Sequence, residues 1–182
     1  MKNPAAILLA LALGLPCLST SCNDAEDSSP VASQTPAEKL AALDAAIDSL
    51  QARPEHGASE VTVQHLLVGI NGPTLAHVTR TAGDAEHLTA ELYARAKSGE
   101  DFDTLVKNYS DDRHPGIYTL LASGTSDLAR GIALRSEMVQ GFGDTAWRLE
   151  VGEIGVTEYD PPPWAMGTGK AEFGFHIVKR LR

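Results

Sequence analysis

The residues best suited to chemistry are two histidines that stand in apolar stretches. His176 lies in EFGFHIVK, residues 172–179, and His65 lies in VTVQHLLVGI, residues 61–70; both stretches are typical of buried β-strands. An imidazole exchanges a proton near neutral pH, so either side chain can serve as an acid, a base or a hydrogen-bonding group. A single histidine on an apolar strand is nevertheless more often a hydrogen-bonded core residue. The pattern alone therefore favours a structural role for each histidine taken separately.

The strand that carries His176 has two unlike faces. Gly174 and Val178 share the face of His176, because side chains alternate along an extended chain. A glycine two residues before the histidine indicates close approach of a neighbouring backbone. The other face is apolar, and we expect it to pack against helices; it comprises Phe173, Phe175 and Ile177.

Other arrangements for catalysis are missing from the sequence. The only cysteines, Cys17 and Cys22, lie near the N-terminus, and there is no HExxH, Gly-x-Ser-x-Gly or phosphate-binding glycine motif. The sequence therefore predicts no metal site, no cofactor and no disulfide in the folded part. The remaining histidines lack metal-ligand spacing; they are His56, His77, His87 and His114.

The N-terminus has the pattern of an export signal. Lys2 precedes the apolar run Ala5–Leu18, which is too short to span a bilayer stably. The end of this segment, LSTSC, resembles a bacterial lipobox, in which the cysteine becomes the lipidated first residue of the mature protein. We expect residues 1–21 to be a signal peptide and Cys22 to be a lipid anchor; cleavage without lipidation is the alternative. Residues 22–34 are small and polar, which predicts a flexible tether.

The charge of the chain limits its partners. A formal net charge of −9 makes binding to nucleic acid or direct adsorption to anionic lipid unfavourable. Membrane contact is therefore expected only through the lipid anchor. The sequence carries no signal for an oligomeric state.

An N-terminal amphipathic helix is predicted over residues 35–53. Thr35-Pro36-Ala37-Glu38 has the form of a capping box with proline at the first helical position. The pattern is too short for the three or four heptads of a coiled coil, which favours packing on its own domain over binding of a partner. Its narrow apolar stripe comprises Leu40, Leu43, Ile47 and Leu50.

The elements that follow predict an α+β fold with helices packed on a sheet whose last two strands pair antiparallel. Asp101 is expected to cap a short helix that follows a longer one ending at Gly99. The other predicted elements are a central strand over 61–70, a helix starting at Asp84, a short strand over 117–121, a helix over 138–149 and strands over 154–159 and 172–181.

Several stretches, in the same order along the chain, resemble parvulin-type peptidyl-prolyl isomerases over residues 60–182. The stretches are VQHLLV, AEHLTAELYARAKSGEDFDTLVKNYSDD, EMVQGFGDTAWRLEVGEIG and FGFHI. The resemblance implies a parvulin-like domain of the FKBP-like superfold, with a small antiparallel or mixed four-stranded sheet surrounded by helices. It also implies catalytic residues His65, Asp112 and His176 and a proline pocket formed by Met138, Phe142 and Trp147.

Three departures from the family pattern affect this interpretation. The chain has PGIYTLLASGTSDLARG where parvulins usually have a Gly-Gly-Asp-Leu-Gly stretch. Ala171 stands where the family often has a threonine near the histidines. Extra residues over 156–171, including Asp160-Pro161-Pro162-Pro163-Trp164, replace a short hairpin.

Two functions fit the sequence. The first is a cofactor-free prolyl isomerase that acts on unfolded or proline-containing exported polypeptides. The second is a parvulin-like chaperone or peptide-binding module of the cell envelope that catalyses weakly, which the three departures support. A purely structural lipoprotein would leave the ordered set of pocket motifs unexplained.

Overall fold

A computed structural model describes residues 34–159 and 173–182 of the 182-residue chain. The helices are α1 (Pro36–Gln51), α2 (Ala82–Lys97), α3 (Phe102–Tyr109) and α4 (Gln140–Arg148). The strands are β1 (Glu60–Gly69), β2 (Ile117–Leu121), β3 (Ile132–Leu134), β4 (Ile154–Val156) and β5 (Gly174–Arg180). The predicted signal peptide, Cys22, nearly all of the tether and the segment 160–172 with Ala171 lie outside the described residues.

One mixed sheet organises the fold, with the strand order β3-β2-β1-β5-β4. β1 is the central strand, as its continuous apolar sequence predicts, and every residue after Glu60 is buried. It pairs antiparallel with β2 on one side and with β5 on the other, and β5 pairs antiparallel with β4. The predicted α+β class and the antiparallel pairing of the last two strands are confirmed.

The sheet has an apolar core on each face. On one face, Leu66 and Ile177 pack in a cluster with α1, α2 and α3, while on the other, Val63 and Val178 pack with α4. Burying a leucine, isoleucine or valine side chain contributes about 1.5–3 kcal/mol. Because the two clusters cover both faces, the position of the central strands is fixed by packing from both sides.

Helix α1 packs on its own domain, which is the alternative that the short apolar stripe favours. Leu43 and Ile47 are buried in one core cluster and Leu50 in the other. The capping box is formed: the Thr35 hydroxyl accepts from the Glu38 amide, and the Glu38 carboxylate accepts from the Thr35 amide. Among the described residues, no helix is both long and apolar enough to cross a membrane.

The structure corrects several predicted elements. The sheet has five strands and not four, because the three-residue β3 pairs parallel with β2; a strand so short in a glycine-containing segment has no periodicity to detect. Met138 lies before α4 in an extended conformation with φ −97° and ψ 159°, although its spacing from Phe142 predicts one helix for both. The strand predicted over 154–159 ends at Val156.

Candidate functional site

The antiparallel pairing of β1 with β5 brings the two histidines together. In this register His65 is opposite Val178 and Leu67 is opposite His176, so the two imidazoles are diagonal neighbours on one face of the sheet. Their Nδ1 atoms are 3.3 Å apart, and the rings are inclined by only 18°. Both residues are buried, with 4% and 5% of their surface exposed. The two imidazoles therefore form a buried pair.

Asp112 continues this pair into a chain of three side chains. Its Oδ2 atom lies 3.0 Å from His65 Nε2, and the Tyr118 hydroxyl donates to the same oxygen at 3.2 Å. The hydrogen bond from His65 lowers the pKa of Asp112 to about 2, so the carboxylate is ionised at neutral pH. Burial and the charge of Asp112 raise the pKa of Tyr118, which keeps its hydroxyl protonated as a donor.

The turn that carries Asp112 is attached to the central strand. The Ser110 hydroxyl accepts from the Leu67 amide at 3.1 Å and from the Asp112 amide at 3.2 Å. The Asp111 amide donates to the Leu67 carbonyl at 2.9 Å. A serine hydroxyl therefore fixes the turn directly beside the strand of His65, which sets the distance between His65 and Asp112.

The ionised carboxylate determines which nitrogens carry protons. Because a carboxylate only accepts, His65 Nε2 must donate to Asp112, and in the neutral form of His65 its Nδ1 atom must accept from His176 Nδ1. Burial, aided by the neighbouring His65, lowers the pKa of His176 to about 3, so this residue is neutral. Its Nε2 atom then bears a lone pair, and it has no hydrogen-bond partner within the described part of the chain.

A cavity of about 230 Å³ opens above these side chains. We call His65, Asp112, Tyr118 and His176 the polar wall of this cavity. The apolar wall consists of Leu67, Leu75, Met138, Val139, Phe142 and Phe173. The ring of Phe142 connects the two walls, with its centroid 5.1 Å from that of His65 and 5.4 Å from that of His176.

Met138 and Phe142 enter the cavity from a segment that one arginine holds in place. Arg135 makes a bidentate ion pair with Glu55, with both bonds at 2.7 Å, and a further bond of 2.6 Å to Asp144. Its guanidinium also lies over the indole of Trp147, 4.9 Å from the ring centroid. These bonds tie the start of α4 to the segment between α1 and β1.

Trp147, which the sequence suggests as part of the proline pocket, lies outside the lining of this cavity. Its side chain belongs to the core cluster between α4 and the sheet, and its indole nitrogen donates to the Ala58 carbonyl at 2.9 Å. The physical reason is that Trp147 follows Phe142 by five positions on α4, which turns it away from the face that Phe142 presents. It supports the helix and does not line the cavity.

Sequence reasoning misses six of the residues that line the cavity, namely Leu67, Leu75, Asp111, Tyr118, Val139 and Phe173. Tyr118 shares the inward face of β2 with the buried Leu120, so strand alternation was the available signal. Phe173 lines the cavity and does not follow the face of Phe175, because Gly174 has a φ of +142° that interrupts the alternation. Leu75 lies in the turn after β1 and has no periodic signal.

Asp111 has a separate role from its neighbour Asp112. Its Oδ2 atom accepts from the Gly69 amide at 2.8 Å and from Arg80 at 2.6 Å, and Arg80 also donates to the Gly69 carbonyl at 2.8 Å. The turn that contains Leu75 is closed by these bonds. Since Arg80 is neutralised by Asp111, it does not present a free positive charge to the cavity.

The chain is similar to known proteins over most of its length. The family model described as "PPIC-type PPIASE domain" matches residues 49–181, nearly three quarters of the chain. The chain is 36% identical over 94 residues to the foldase protein PrsA of Geobacillus kaustophilus and 34% identical over 94 residues to the foldase protein PrsA 4 of Bacillus cereus. Each match covers 52% of this chain but only 27% of the relative, so the chain spans about a quarter of the length of these proteins.

Two solved structures have a similar outline. The peptidyl-prolyl isomerase ESS1 from Candida albicans matches 79% of this chain and 75% of its own with a TM-score of 0.48 and 20% identity. The solution structure of TbPIN1 matches 69% of this chain and 99% of its own with a TM-score of 0.46 and 22% identity.

Proposed function

The chain belongs to the family of PPIC-type peptidyl-prolyl isomerase domains, and we propose that it catalyses cis–trans isomerisation of X–Pro bonds in unfolded exported polypeptides. One observation carries the proposal: a single cavity has an apolar wall fit for a proline ring and, opposite, an ionised carboxylate in a histidine chain. No cofactor is required, because no covalent bond is made or broken. Among the described residues there is also no group of side chains that could hold a metal ion.

The reaction needs selective binding of a twisted amide. Amide resonance opposes rotation with a barrier of about 18–20 kcal/mol, and the planar amide is the more polar state. An apolar wall that removes the prolyl amide from water favours the less charge-separated, twisted state. Each tenfold acceleration requires about 1.4 kcal/mol of such preference, so side-chain contacts of ordinary strength suffice.

The proposed roles divide between the two walls. Met138 and Phe142 hold the proline ring, and the flexible thioether fits an irregular apolar surface. Asp112 places negative charge near the substrate carbonyl and disfavours the planar dipole. His65 and His176 orient Asp112 through the hydrogen-bond chain, and neither is required to transfer a proton.

The charge of Asp112 is tested by Asp112→Asn, which keeps the shape of the side chain. We expect a loss of at least tenfold in kcat/KM in a protease-coupled assay with a proline tetrapeptide, because the amide cannot supply the negative charge. Met138→Ala tests the apolar wall, with an expected rise in KM. Val151→Ala, at a residue that is 64% exposed, is the control and should behave as wild type. A wild-type protein that does not exceed the spontaneous rate would refute the isomerase proposal.

A binding module with weak catalysis is the second candidate, and one contact favours it. Asp112 is engaged by two donors, His65 and Tyr118, on the same oxygen, which reduces the charge that it can direct at a substrate. Under this alternative, the wild-type protein suppresses aggregation of an unfolded polypeptide at equal concentration, and Asp112→Asn does so equally well. Loss of that suppression in Met138→Ala would locate binding in the same cavity.

We also propose that the domain works outside the cytoplasm on a lipid anchor at Cys22. The support is the signal-like sequence over residues 1–21, the lipobox-like LSTSC and the similarity to proteins named as foldases. Expression of the full chain with Cys22→Ser should release the protein from the membrane fraction, whereas Cys17→Ser should not. Equal partition of both variants with wild type would refute lipid anchoring.

A further inference from the structure

The backbone of His176 is held by one residue, Thr157. The Thr157 amide donates to the His176 carbonyl at 2.9 Å, and the His176 amide donates to the Thr157 hydroxyl oxygen at 2.9 Å. Thr157 follows the last residue of β4 and is 3% exposed. In a regular antiparallel pair the His176 amide would donate to a backbone carbonyl. Here a side-chain hydroxyl takes the place of that carbonyl at the point where β4 ends.

The strand on the other side, β1, reaches His176 through the ring of His65 and through packing. His176 is opposite Leu67 of β1, and the polar backbone groups of Leu67 are bonded to the turn that carries Asp112. Alternate residues of an antiparallel strand direct their amides to opposite neighbours, so His176 directs its own toward β4. Within the described residues, both backbone polar groups of His176 are therefore satisfied by Thr157.

Two short contacts link His176 to the other residues of the polar wall. The His176 ring approaches His65 Nδ1 at 3.3 Å, and the opposite nitrogen of His65 lies 3.0 Å from Asp112. Two residues before His176, the strand passes through Gly174 with a φ of +142°, and its register with β1 ends there, with Gly174 opposite Gly69. A displacement of His176 by a few tenths of an ångström would lengthen its bond to His65 beyond hydrogen-bonding range.

We infer that Thr157 is a positioning residue of the isomerase site, whose hydroxyl sets the location of the His176 ring and, through it, the orientation of His65 against Asp112. The inference rests on the proposed function for its kinetic consequence. Its structural consequence, the coupling of Thr157 to the imidazole pair, is independent of activity.

The test compares Thr157→Val, which keeps the β-branched shape without the hydroxyl, with Thr157→Ser, which keeps the hydroxyl. Thr157→Val should lower kcat about tenfold with KM changed less than twofold, and Thr157→Ser should recover at least half of the wild-type kcat. Thr145→Val is the matched control, because Thr145 is also buried and lines the same second cavity of about 150 Å³ between α1, α4 and β4. It should stay within twofold of wild type.

Nitrogen-15 spectra of the imidazoles provide the readout that a merely structural role would not change. In Thr157→Val we expect the ring-nitrogen shifts of His65 and His176 to move and the His176 amide to exchange faster, while Thr157→Ser and Thr145→Val retain the wild-type spectrum. Unchanged ring shifts in a folded Thr157→Val protein would overturn the inference, as would a Thr157→Ser protein as impaired as Thr157→Val. If the wild-type protein lacks isomerase activity, the proposed function fails and the spectra alone decide the role of Thr157.

Discussion

The two walls of the cavity are positioned in different ways. The polar wall stands on paired strands and a turn, where backbone register and buried hydrogen bonds determine each position. Apart from Leu67 of β1, the apolar wall stands on short turns and the first turn of α4, which are held by the ion pairs of Arg135 and Arg80. Strand register tolerates little adjustment, whereas partly exposed ion pairs can be exchanged at modest cost. The comparison indicates a rigid polar wall and an adaptable apolar wall; under the proposed function, the first would face the amide and the second the proline ring.

The largest loss of stability is expected at Gly174, which lies in the strand that carries His176 of the polar wall. A β-carbon built there would lie 2.2 Å from the Val68 carbonyl oxygen, and the φ of +142° is strained for any other residue. We expect Gly174→Ala to lower the free energy of unfolding by about 3–4 kcal/mol, because the β1–β5 pairing must shift. Urea denaturation measures the loss. Gly57→Ala is the control, since a β-carbon there meets nothing within 4 Å, and equal stability of the two variants would contradict the assignment.

Acid should weaken the polar wall through His176. Burial lowers the pKa of His176 to about 3, whereas an exposed imidazole titrates near 6.5. Between these values the unfolded chain binds a proton that the folded chain does not, so stability falls as the pH is lowered through this window, by at most about 1.4 kcal/mol per pH unit. Asp112, whose pKa is lowered to about 2 from 3.8, adds a loss in the same direction below pH 4.

The measurement is the free energy of unfolding in urea at pH 7.0, 5.5 and 4.5. His176→Gln should reduce the dependence on pH, although it lowers stability at pH 7.0, because glutamine does not titrate. His87→Gln, at an exposed position of α2, should keep the wild-type slope. A slope that is the same in His176→Gln and in wild type would show that another group causes the acid sensitivity.

The apolar wall should loosen when Arg135 is replaced. Arg135→Met keeps much of the aliphatic side chain but removes the bonds to Glu55 and Asp144, which leaves two partly buried carboxylates without this cation. We expect a loss of about 2 kcal/mol, below the 3–5 kcal/mol of a fully buried pair because the side chain is 27% exposed. Arg182→Met removes an exposed pair with Glu60 and should cost less than 0.5 kcal/mol. A smaller effect at Arg135 than at Arg182 would show that ion pairs do not hold this wall.

The strands of the rigid wall were predictable from sequence for a physical reason. β1 is buried on both faces, which produces a continuous apolar run, and the two histidines interrupt such runs visibly. The capping box of α1 and the Asp101 cap of α3 were also predictable, because each is formed by residues only three positions apart in the sequence.

The apolar wall was only partly predictable, because the positions of its side chains depend on contacts between segments that are distant in the sequence. The separation of Met138 from α4 and the inward placement of Phe173 follow from backbone angles that the spacing of apolar residues does not encode. The ion pair that joins Arg135 to Glu55 connects residues 80 positions apart. Roles for Asp112 and Met138 came from family resemblance, since an aspartate in a turn and a methionine beside a helix are common in any domain.

The smallest expected effect concerns Tyr118, the residue of the polar wall whose hydroxyl donates to Asp112. Tyr118→Phe keeps the ring that contacts His65 and Phe142 but removes the donor to Asp112. One hydrogen bond to a partly exposed carboxylate contributes about 0.5–1.5 kcal/mol, so stability should fall by about 1 kcal/mol at most. The pKa of Asp112 should rise, because one of the groups that stabilise its charged form is lost.

Carbon-13 titration of the Asp112 carboxyl in wild type and Tyr118→Phe measures this shift, with the carboxyl of the exposed Asp48 as an internal control. If the two-donor arrangement limits catalysis by occupying the charge of Asp112, then kcat should rise a few-fold in Tyr118→Phe as the carboxylate becomes freer to face a substrate. A fall in kcat accompanied by the expected pKa shift would instead mean that the tyrosine hydroxyl orients the carboxylate productively. Under that result, Tyr118 would be a positioning residue for Asp112 and not a competitor for its negative charge.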